Sequence, residues 1–279
     1  MPRRVPVVIA HRGASADAPQ NTLAAFDAAA RAGAAMIEID VHLSADGVPM
    51  VIHDGTVDAT TDGTGEVGRM TRAELQSLDA GSWFAPEFAG QRIPTLAEVL
   101  RLVADRPGLD VLCEYKGAWS AEDVGVTLRV VAESGVEDRL VVQGFDPTTV
   151  AALRDVAPQV PRSLLFEHGR DDLFALLAEL GAAAVSPGAA LLADDARLVP
   201  AAHDAGLRVF GWTANDEPTW QRLLDAGVDG IITDRPAALR EWLGSVTAPA
   251  GRSRLPLSAV ARAASRTAVR SPRAAPRRT

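Results

Sequence analysis

The stretch "VVIAHRGAS", Val7 to Ser15, decides how the chain is wound. Its apolar start, Val7–Ala10, reads as a buried strand, and the strand stops on His11, Arg12 and Gly13. In a doubly wound open sheet that binds a dinucleotide, the first strand runs into a glycine-rich phosphate turn. Here an imidazole and a guanidinium stand in that place, and no such turn follows. The remaining parallel architecture is a closed β/α barrel, whose functional groups stand at the carboxyl ends of its strands.

Further runs of β-branched or apolar residues recur at 36–41, 111–115, 140–144, 163–166, 183–186, 208–212 and 230–233. Segments of helical period lie between them, at 22–32, 95–104, 121–134, 147–156, 171–180, 196–205, 217–226 and 236–243. In the first of these, Leu23, Phe26 and Ala30 share a face, with Asn21 as the expected N-cap and Gly33 just past the end. Eight strand–helix units in a chain of 279 residues predict a (β/α)8, or TIM, barrel.

One run does not fit the count. "PMVIH", residues 49–53, follows the second strand after only the turn "SADG". A parallel crossover needs about a dozen residues, so this pair is expected to be an antiparallel hairpin. A four-residue turn would set Leu43 against Val48 and His53 against Glu38, unless a bulge shifts the register. The insertion then runs on through a glycine-rich stretch to about residue 94. The expected organisation is one barrel domain over 1–244, an inserted lobe over about 42–94, and a tail over 245–279.

The tail carries its own charge. From 251 to 279 there are eight arginines and no acid, and without them 20 basic residues face the chain's 36 acids. An acidic body argues against nucleic acid as a partner. The tail's Arg, Ala, Pro and Ser cannot bury enough apolar surface to offset ordering, so it is expected to be disordered, with weak contact to an anionic surface as the alternative. No apolar run approaches the ~18 residues of a membrane span. The apolar stretch after the basic start is shorter than the core of a secretory signal, about 7–15 residues. Cys113 is the only cysteine, which fits a reducing, cytoplasmic setting.

The strand ends carry chemistry. In 36–41, alternation puts Met36, Glu38 and Asp40 on one face and Ile37, Ile39 and Val41 on the other. The apolar set suits the helix-facing side, so both carboxylates point into the barrel. Glu114 and Lys116 share a face of their strand by the same rule. Three carboxylates on one dry rim repel each other, and all are hard oxygen donors, suited to one divalent ion such as Ca²⁺ or Mg²⁺. The competing account is an ion-pair network of Glu114 or Asp40 with Lys116 or Arg12. Gln143, Trp212 and Asp234 stand at other strand ends. Gln143 and Trp212 are candidate substrate contacts, although packing or capping would also account for them.

Taken together, "AHRGAS", "NTLAAF", "MIEIDVHLSADGVPMVIHD", "TTDGTGEV", "RAELQSLDAG", "IPTLAEVL", "CEYK", "GWTAND" and "DGIITDRP" resemble the glycerophosphodiester phosphodiesterase family, over residues 7 to about 243. The resemblance implies a metal-dependent barrel with a lobe after its second strand. It implies hydrolysis of a small-molecule substrate class, the deacylated phospholipid diesters, to sn-glycerol 3-phosphate and an alcohol. Carried over by motif, His11 and His53 are the acid–base pair, Glu38, Asp40 and Glu114 the metal ligands, and Arg12 and Lys116 the phosphate clamps. His11 is assigned as base and His53 as acid. The chain departs from the family at Gln20, where Glu is usual, and at Ala59, where Arg is frequent. The rival functions are a phospholipase or sphingomyelinase-D-like enzyme acting on intact lipid, and a non-catalytic binding barrel. The first needs an exposed apolar rim, for which Trp83, Phe84 and Phe88 are the candidates, but these are expected in the lobe core. The second is expected to have lost one of the five site residues. No Ser, Thr or Cys is placed to attack phosphorus beside the histidines, and Ser15 is expected in the strand–helix turn. The attacking group is therefore expected to be a water or the glycerol's own hydroxyl.

Overall fold

A computed structural model describes residues 5–247; the Arg-rich segment from 251 onward lies outside the described residues. The chain runs β1 (Val7–Ala10), α1 (Leu23–Ala32), β2 (Met36–Leu43), β3 (Pro49–Val51), α2 (Arg72–Ser77), α3 (Leu96–Ala104), β4 (Asp110–Tyr115), α4 (Ala121–Ser134) and β5 (Leu140–Gly144). It continues through α5 (Pro147–Val156), β6 (Arg162–Phe166), α6 (Leu173–Glu179), β7 (Ala184–Pro187), α7 (Ala189–Asp194), α8 (Leu198–Asp204), β8 (Arg208–Gly211), α9 (Glu217–Ala226), β9 (Gly230–Thr233) and α10 (Pro236–Val246).

All the strands but β3 pair in parallel, and β1 bonds both β2 and β9, so the sheet closes on itself. This is the (β/α)8 barrel that the strand–helix rhythm predicts. Ile37, Ile39, Val41, Val111 and Cys113 face outward into the layer shared with the helices. The barrel interior divides along its axis. Ile9, Met36, Leu112, Val141, Ala184, Phe210 and Ile232 form an apolar plug toward the strand starts. Beyond it the inward positions turn polar, with Glu38, Asp40, Glu114, Gln143, Ser163 and Ser186 all buried. The plug anchors the barrel, and the polar layer above it faces the mouth.

β3 pairs antiparallel with β2, but in a register one residue from the expected one. Leu43 lies against Pro49 and Val41 against Val51. Ser44 bonds Val48 across the turn, leaving Ala45, Asp46 and Gly47 as the loop, with Gly47 at φ 74°. A left-handed third loop residue is the bulged form of a short hairpin, which glycine adopts at little cost. The ladder ends at Val51, so His53 does not pair with Glu38; instead the Ile52 N–H donates to the Asp40 carbonyl at 3.0 Å.

One expectation fails at a helix start, and one short helix is additional to those expected. Thr22, not Asn21, caps α1, accepting the Ala25 N–H at 3.3 Å. Asn21 is drawn away to the barrel mouth and sits at φ 56°. The short helix α7 has no counterpart in the sequence pattern, because its six residues fall within the β7–α8 connection.

The lobe has an aliphatic core of Met50, Ile52, Val57, Val67, Leu75, Ala80 and Ile93. Trp83, Phe84 and Phe88 are not in it. They pack edge to face on one another, and Trp83 is exposed. Their loop is gathered by Asp79, whose carboxylate accepts the N–H groups of Gly81, Ser82 and Gly90 at 2.6–2.8 Å. A capping box of Thr71 and Glu74 starts α2. Among the described residues no helix is long and apolar enough to cross a membrane.

Gly13 fixes how β1 hands over to α1. It adopts φ 87°, and a Cβ there would lie 2.6 Å from the Ala25 backbone. Urea unfolding of Gly13→Ala is expected to show a loss of about 2 kcal/mol or more, because both strain and backbone overlap arise. Gly47→Ala has open space around it and should lose only about 1 kcal/mol. Equal losses at the two positions would contradict this reading of the β1–α1 turn.

Candidate active site

Register gathers the acids. Asp40 on β2 lies level with Glu114 on β4, and Glu114 lies level with Gln143 on β5. Each of Glu38, Asp40 and Glu114 offers a carboxylate oxygen, these oxygens lie within 4.8 Å of one another, and all three residues are buried. The inward alternation expected for Glu38, Asp40 and Glu114 is thus observed.

The cations do not balance this charge. Lys116 Nζ donates to Glu114 at 2.7 Å and lies 3.7 Å from Asp40. Arg12 Nε lies 3.4 Å from Asp40 and is buried, with no hydrogen-bond partner among the described residues. Glu38 forms no ion pair among the described residues, and its hydrogen bond there comes from the Arg12 backbone N–H at 3.0 Å. An ion-pair network therefore exists, as the competing account expects, but it leaves three acids facing two cations. Burial raises the Glu38 carboxyl well above its ordinary range, and Asp40 and Glu114 push it further. Burial and Asp40 also raise Glu114, to about 7, against the pull of Lys116. Burial would raise Asp40 too, but Arg12, Lys116, His53 and a hydrogen bond from Asn21 hold it below the ordinary range. This donor set, hard, crowded and under-compensated, fits a divalent cation.

Arg12 is placed by its backbone. It sits at φ 55°, a left-handed conformation costing a non-glycine residue about 1–2 kcal/mol. Its N–H goes to Glu38, and its carbonyl accepts the Asn21 N–H at 3.0 Å. Its Nη1 donates to Gln20 Oε1 at 2.6 Å. Gln20 thus keeps a hydrogen bond to the guanidinium without a charge, and Ala59, the other departure, is exposed on the lobe. Asn21 donates to Asp40 Oδ2 at 2.8 Å. Nothing in the residue pattern signals that bond beyond the "QNT" stretch itself.

The two histidines are each held by a carboxylate at Nδ1. His11 Nδ1 lies 2.6 Å from Asp234 Oδ1, and His53 Nδ1 lies 2.6 Å from Asp54 Oδ1. Such a bond fixes the ring and its tautomer and leaves Nε2 free. His42 Nε2, 3.0 Å from the His53 carbonyl, braces the same segment. Burial lowers the His53 pKa; Asp40 opposes this, and Arg12 and Lys116 add to it. Ser15 donates to Asp234 at 3.0 Å, in the strand–helix turn as expected. Asp54 stands directly after His53 in sequence, and a carboxylate beside a candidate histidine was the signal that could have found it.

Gln143 and Trp212 are tied to the barrel. Gln143 Oε1 accepts from Ser186 Oγ at 3.0 Å, and Trp212 Nε1 donates to the Ser186 carbonyl at 2.7 Å. Trp212 meets the half-exposed Phe145 edge to face at 5.4 Å, and Lys116 Nζ lies 5.9 Å from the Phe145 ring centre. This aromatic corner borders the acidic cluster through Lys116.

The raised carboxyls couple metal binding to protons. A group held above its ordinary value stabilises the fold fully below that value, and the gain is lost as pH rises through the folded value. For Glu114 that window runs from 4.5 to about 7 in the metal-free protein. A cation needs the carboxylates ionised, so its binding expels the proton and tightens as pH rises through the window. Calorimetric titration of Ca²⁺ or Mg²⁺ at pH 6, in two buffers of different ionisation enthalpy, is expected to show proton release that shrinks by pH 8. Binding without proton release at pH 6 would contradict the assignment.

Residues 11–238 match the Glycerophosphoryl diester phosphodiesterase family. A glycerophosphodiester phosphodiesterase of Caldanaerobacter subterraneus subsp. tengcongensis is 37% identical over 234 residues, spanning 84% of this chain and 96% of its own. A phosphodiesterase of Oleispira antarctica, solved in complex with the product sn-glycerol-3-phosphate, is similar with a TM-score of 0.81 at 31% identity, over 85% of this chain and 96% of its own. A glycerophosphodiester phosphodiesterase of Agrobacterium tumefaciens has a TM-score of 0.75 at 32% identity, over 85% of this chain and 99% of its own. With its barrel, its inserted lobe and its acidic mouth, the chain belongs to the glycerophosphoryl diester phosphodiesterase family.

Proposed function

We propose that this phosphodiesterase hydrolyses glycerophosphodiesters to sn-glycerol 3-phosphate and an alcohol, with one divalent ion, Ca²⁺ or Mg²⁺, held by Glu38, Asp40 and Glu114. One observation carries the reading: two histidines, each fixed at Nδ1 by a carboxylate, occur with a buried three-carboxylate cluster that two cations do not neutralise. The Oleispira relative, with sn-glycerol-3-phosphate bound, supports the product. A cation in the cluster would take up the negative charge that builds on the phosphate during attack.

The chain's own groups account for the rest. Arg12 and Lys116 clamp the phosphate through their guanidinium and ammonium charges. Fixed donors of this kind are each worth about 10²–10³ in rate. His11 takes a proton from the attacking hydroxyl, and His53 gives one to the departing alcohol. An anionic diester beside His53 favours its protonated form, offsetting the lowering from burial. The attacking group is the glycerol hydroxyl one carbon from the ester, since an intramolecular attack gains strongly from proximity. A cyclic phosphate then forms, and water opens it with the histidines in exchanged roles. The Phe145–Trp212 corner walls the substrate. A cytoplasmic setting rests on the single, free and buried cysteine, Cys113.

Release of alcohol from glycerophosphocholine and glycerophosphoethanolamine tests the reading. Exhaustive chelation is expected to abolish turnover and added Ca²⁺ or Mg²⁺ to restore it, with weaker metal affinity in Glu38→Gln. Turnover that survives chelation, or unchanged affinity, would defeat the metal assignment. His11→Ala and His53→Ala should each lose about 10²–10⁴ in rate. A substrate whose neighbouring hydroxyl is replaced by hydrogen should scarcely react. If it is hydrolysed at near the normal rate, a water attacks and no cyclic phosphate forms.

A further inference from the structure

We propose that Asn215 is a positioning residue that fixes the orientation of the group at position 234, and with it which of that group's atoms meets His11 Nδ1. The inference rests on the acid–base role given to His11 above, and it extends to residues that role does not name. Asp234 Oδ1 faces His11 Nδ1 at 2.6 Å and accepts from Ser15 Oγ at 3.0 Å. Its other oxygen, Oδ2, faces Asn215 Nδ2 at 2.6 Å. A carboxylate only accepts, so His11 carries its proton on Nδ1 and leaves the Nε2 lone pair to take a proton from substrate. Asp234 Oδ2 is thereby committed to Asn215.

The Asn215 amide cannot turn over. Its Oδ1 accepts the Asp234 backbone N–H at 2.9 Å and the Thr233 hydroxyl at 3.1 Å. Thr233 Oγ1 in turn accepts the Arg235 N–H at 3.1 Å, which commits the hydroxyl proton to Asn215. A turned amide would set its NH₂ against a backbone N–H. So Asn215 Nδ2 is a fixed donor, and whatever occupies position 234 must present an acceptor to it. The order of the groups around the mouth is then determined from Asn215 to Asp234 to the His11 ring.

This gives an outcome that simple loss of charge or of packing does not. In Asp234→Asn, the new carbonyl must face Asn215, so the new NH₂ faces His11. Ser15 can rotate to accept, and His11 Nδ1 must now accept, moving the proton to Nε2. The double variant, Asp234→Asn with Asn215→Asp, reverses the order. The carboxylate introduced at position 215 keeps one oxygen for the backbone N–H and Thr233. It turns the other oxygen to the amide NH₂ introduced at position 234. The carbonyl of that amide then faces His11 and restores the Nδ1–H form without restoring a charge at 234.

The test is ¹⁵N NMR of the histidine side chains in the full-length protein, run beside turnover of glycerophosphocholine. The expected pattern is Nδ1–H in the unaltered protein, Nε2–H in Asp234→Asn with turnover reduced by about 10²–10⁴, and Nδ1–H again in the double variant with turnover partly recovered. Persistence of Nδ1–H in Asp234→Asn, or of Nε2–H in the double variant, overturns the proposal. Should the double variant not fold, Asp234→Asn with Asn215→Ala serves instead. There the fixed donor is gone, and an Nδ1–H population is expected to reappear; a pure Nε2–H signal overturns the proposal. Unchanged turnover in His11→Ala overturns the catalytic role of His11 alone and leaves the tautomer assignment to be judged by NMR.

Discussion

Three carboxylates, Glu38, Asp40 and Glu114, are buried within 4.8 Å of one another at the mouth of a barrel, and the surrounding groups answer to that charge. Strand pairing brings them there: β2 and β4 run parallel with Asp40 level with Glu114. The apolar plug beneath offers them no polar partner on the strand-start side. Arg12 lies beside Asp40, Lys116 and His53 add positive charge, and Asn21 donates to it, so Asp40 alone of the three is held below its ordinary carboxyl range. Glu38 and Glu114 are held above it. A site that repels itself in this way is poised for a cation and, with it, an anionic ester.

The same mouth is held still by bonds that span the chain. His11 and Asp234 are 223 residues apart, and they meet because the last strand closes against the first. The Arg12 backbone adopts a left-handed conformation that lets its N–H reach Glu38 and its carbonyl reach Asn21. Strain of this size persists only where neighbours over-determine it, and here four separate hydrogen bonds or ion pairs do so. His11, His53 and Arg12 are thus each held in one orientation by hydrogen bonds to neighbouring groups.

The barrel was legible because its strands are apolar runs and its helices carry a clear period. Period-two alternation alone was enough to turn Glu38, Asp40 and Glu114 inward. What sequence reading missed depends on contacts at long range or on local left-handed backbone. Asn21 fits the pattern of an N-cap, yet its φ of 56° passes the cap to Thr22 and sends its amide to Asp40. The hairpin slipped by one residue because Gly47 allowed a bulged three-residue loop. Asn215 and the partner of His11 could not be paired without barrel closure. Hydrophobicity alone would place Trp83, Phe84 and Phe88 inside the lobe, but aliphatic side chains already fill that core.

If the under-compensated cluster holds one divalent ion, crystals soaked in Mn²⁺ should give one strong anomalous peak among the carboxylates of Glu38, Asp40 and Glu114, lost in crystals of Glu38→Gln with Asp40→Asn. A Mn²⁺ peak elsewhere with none at the cluster, or an intact peak in the double variant, would contradict that reading.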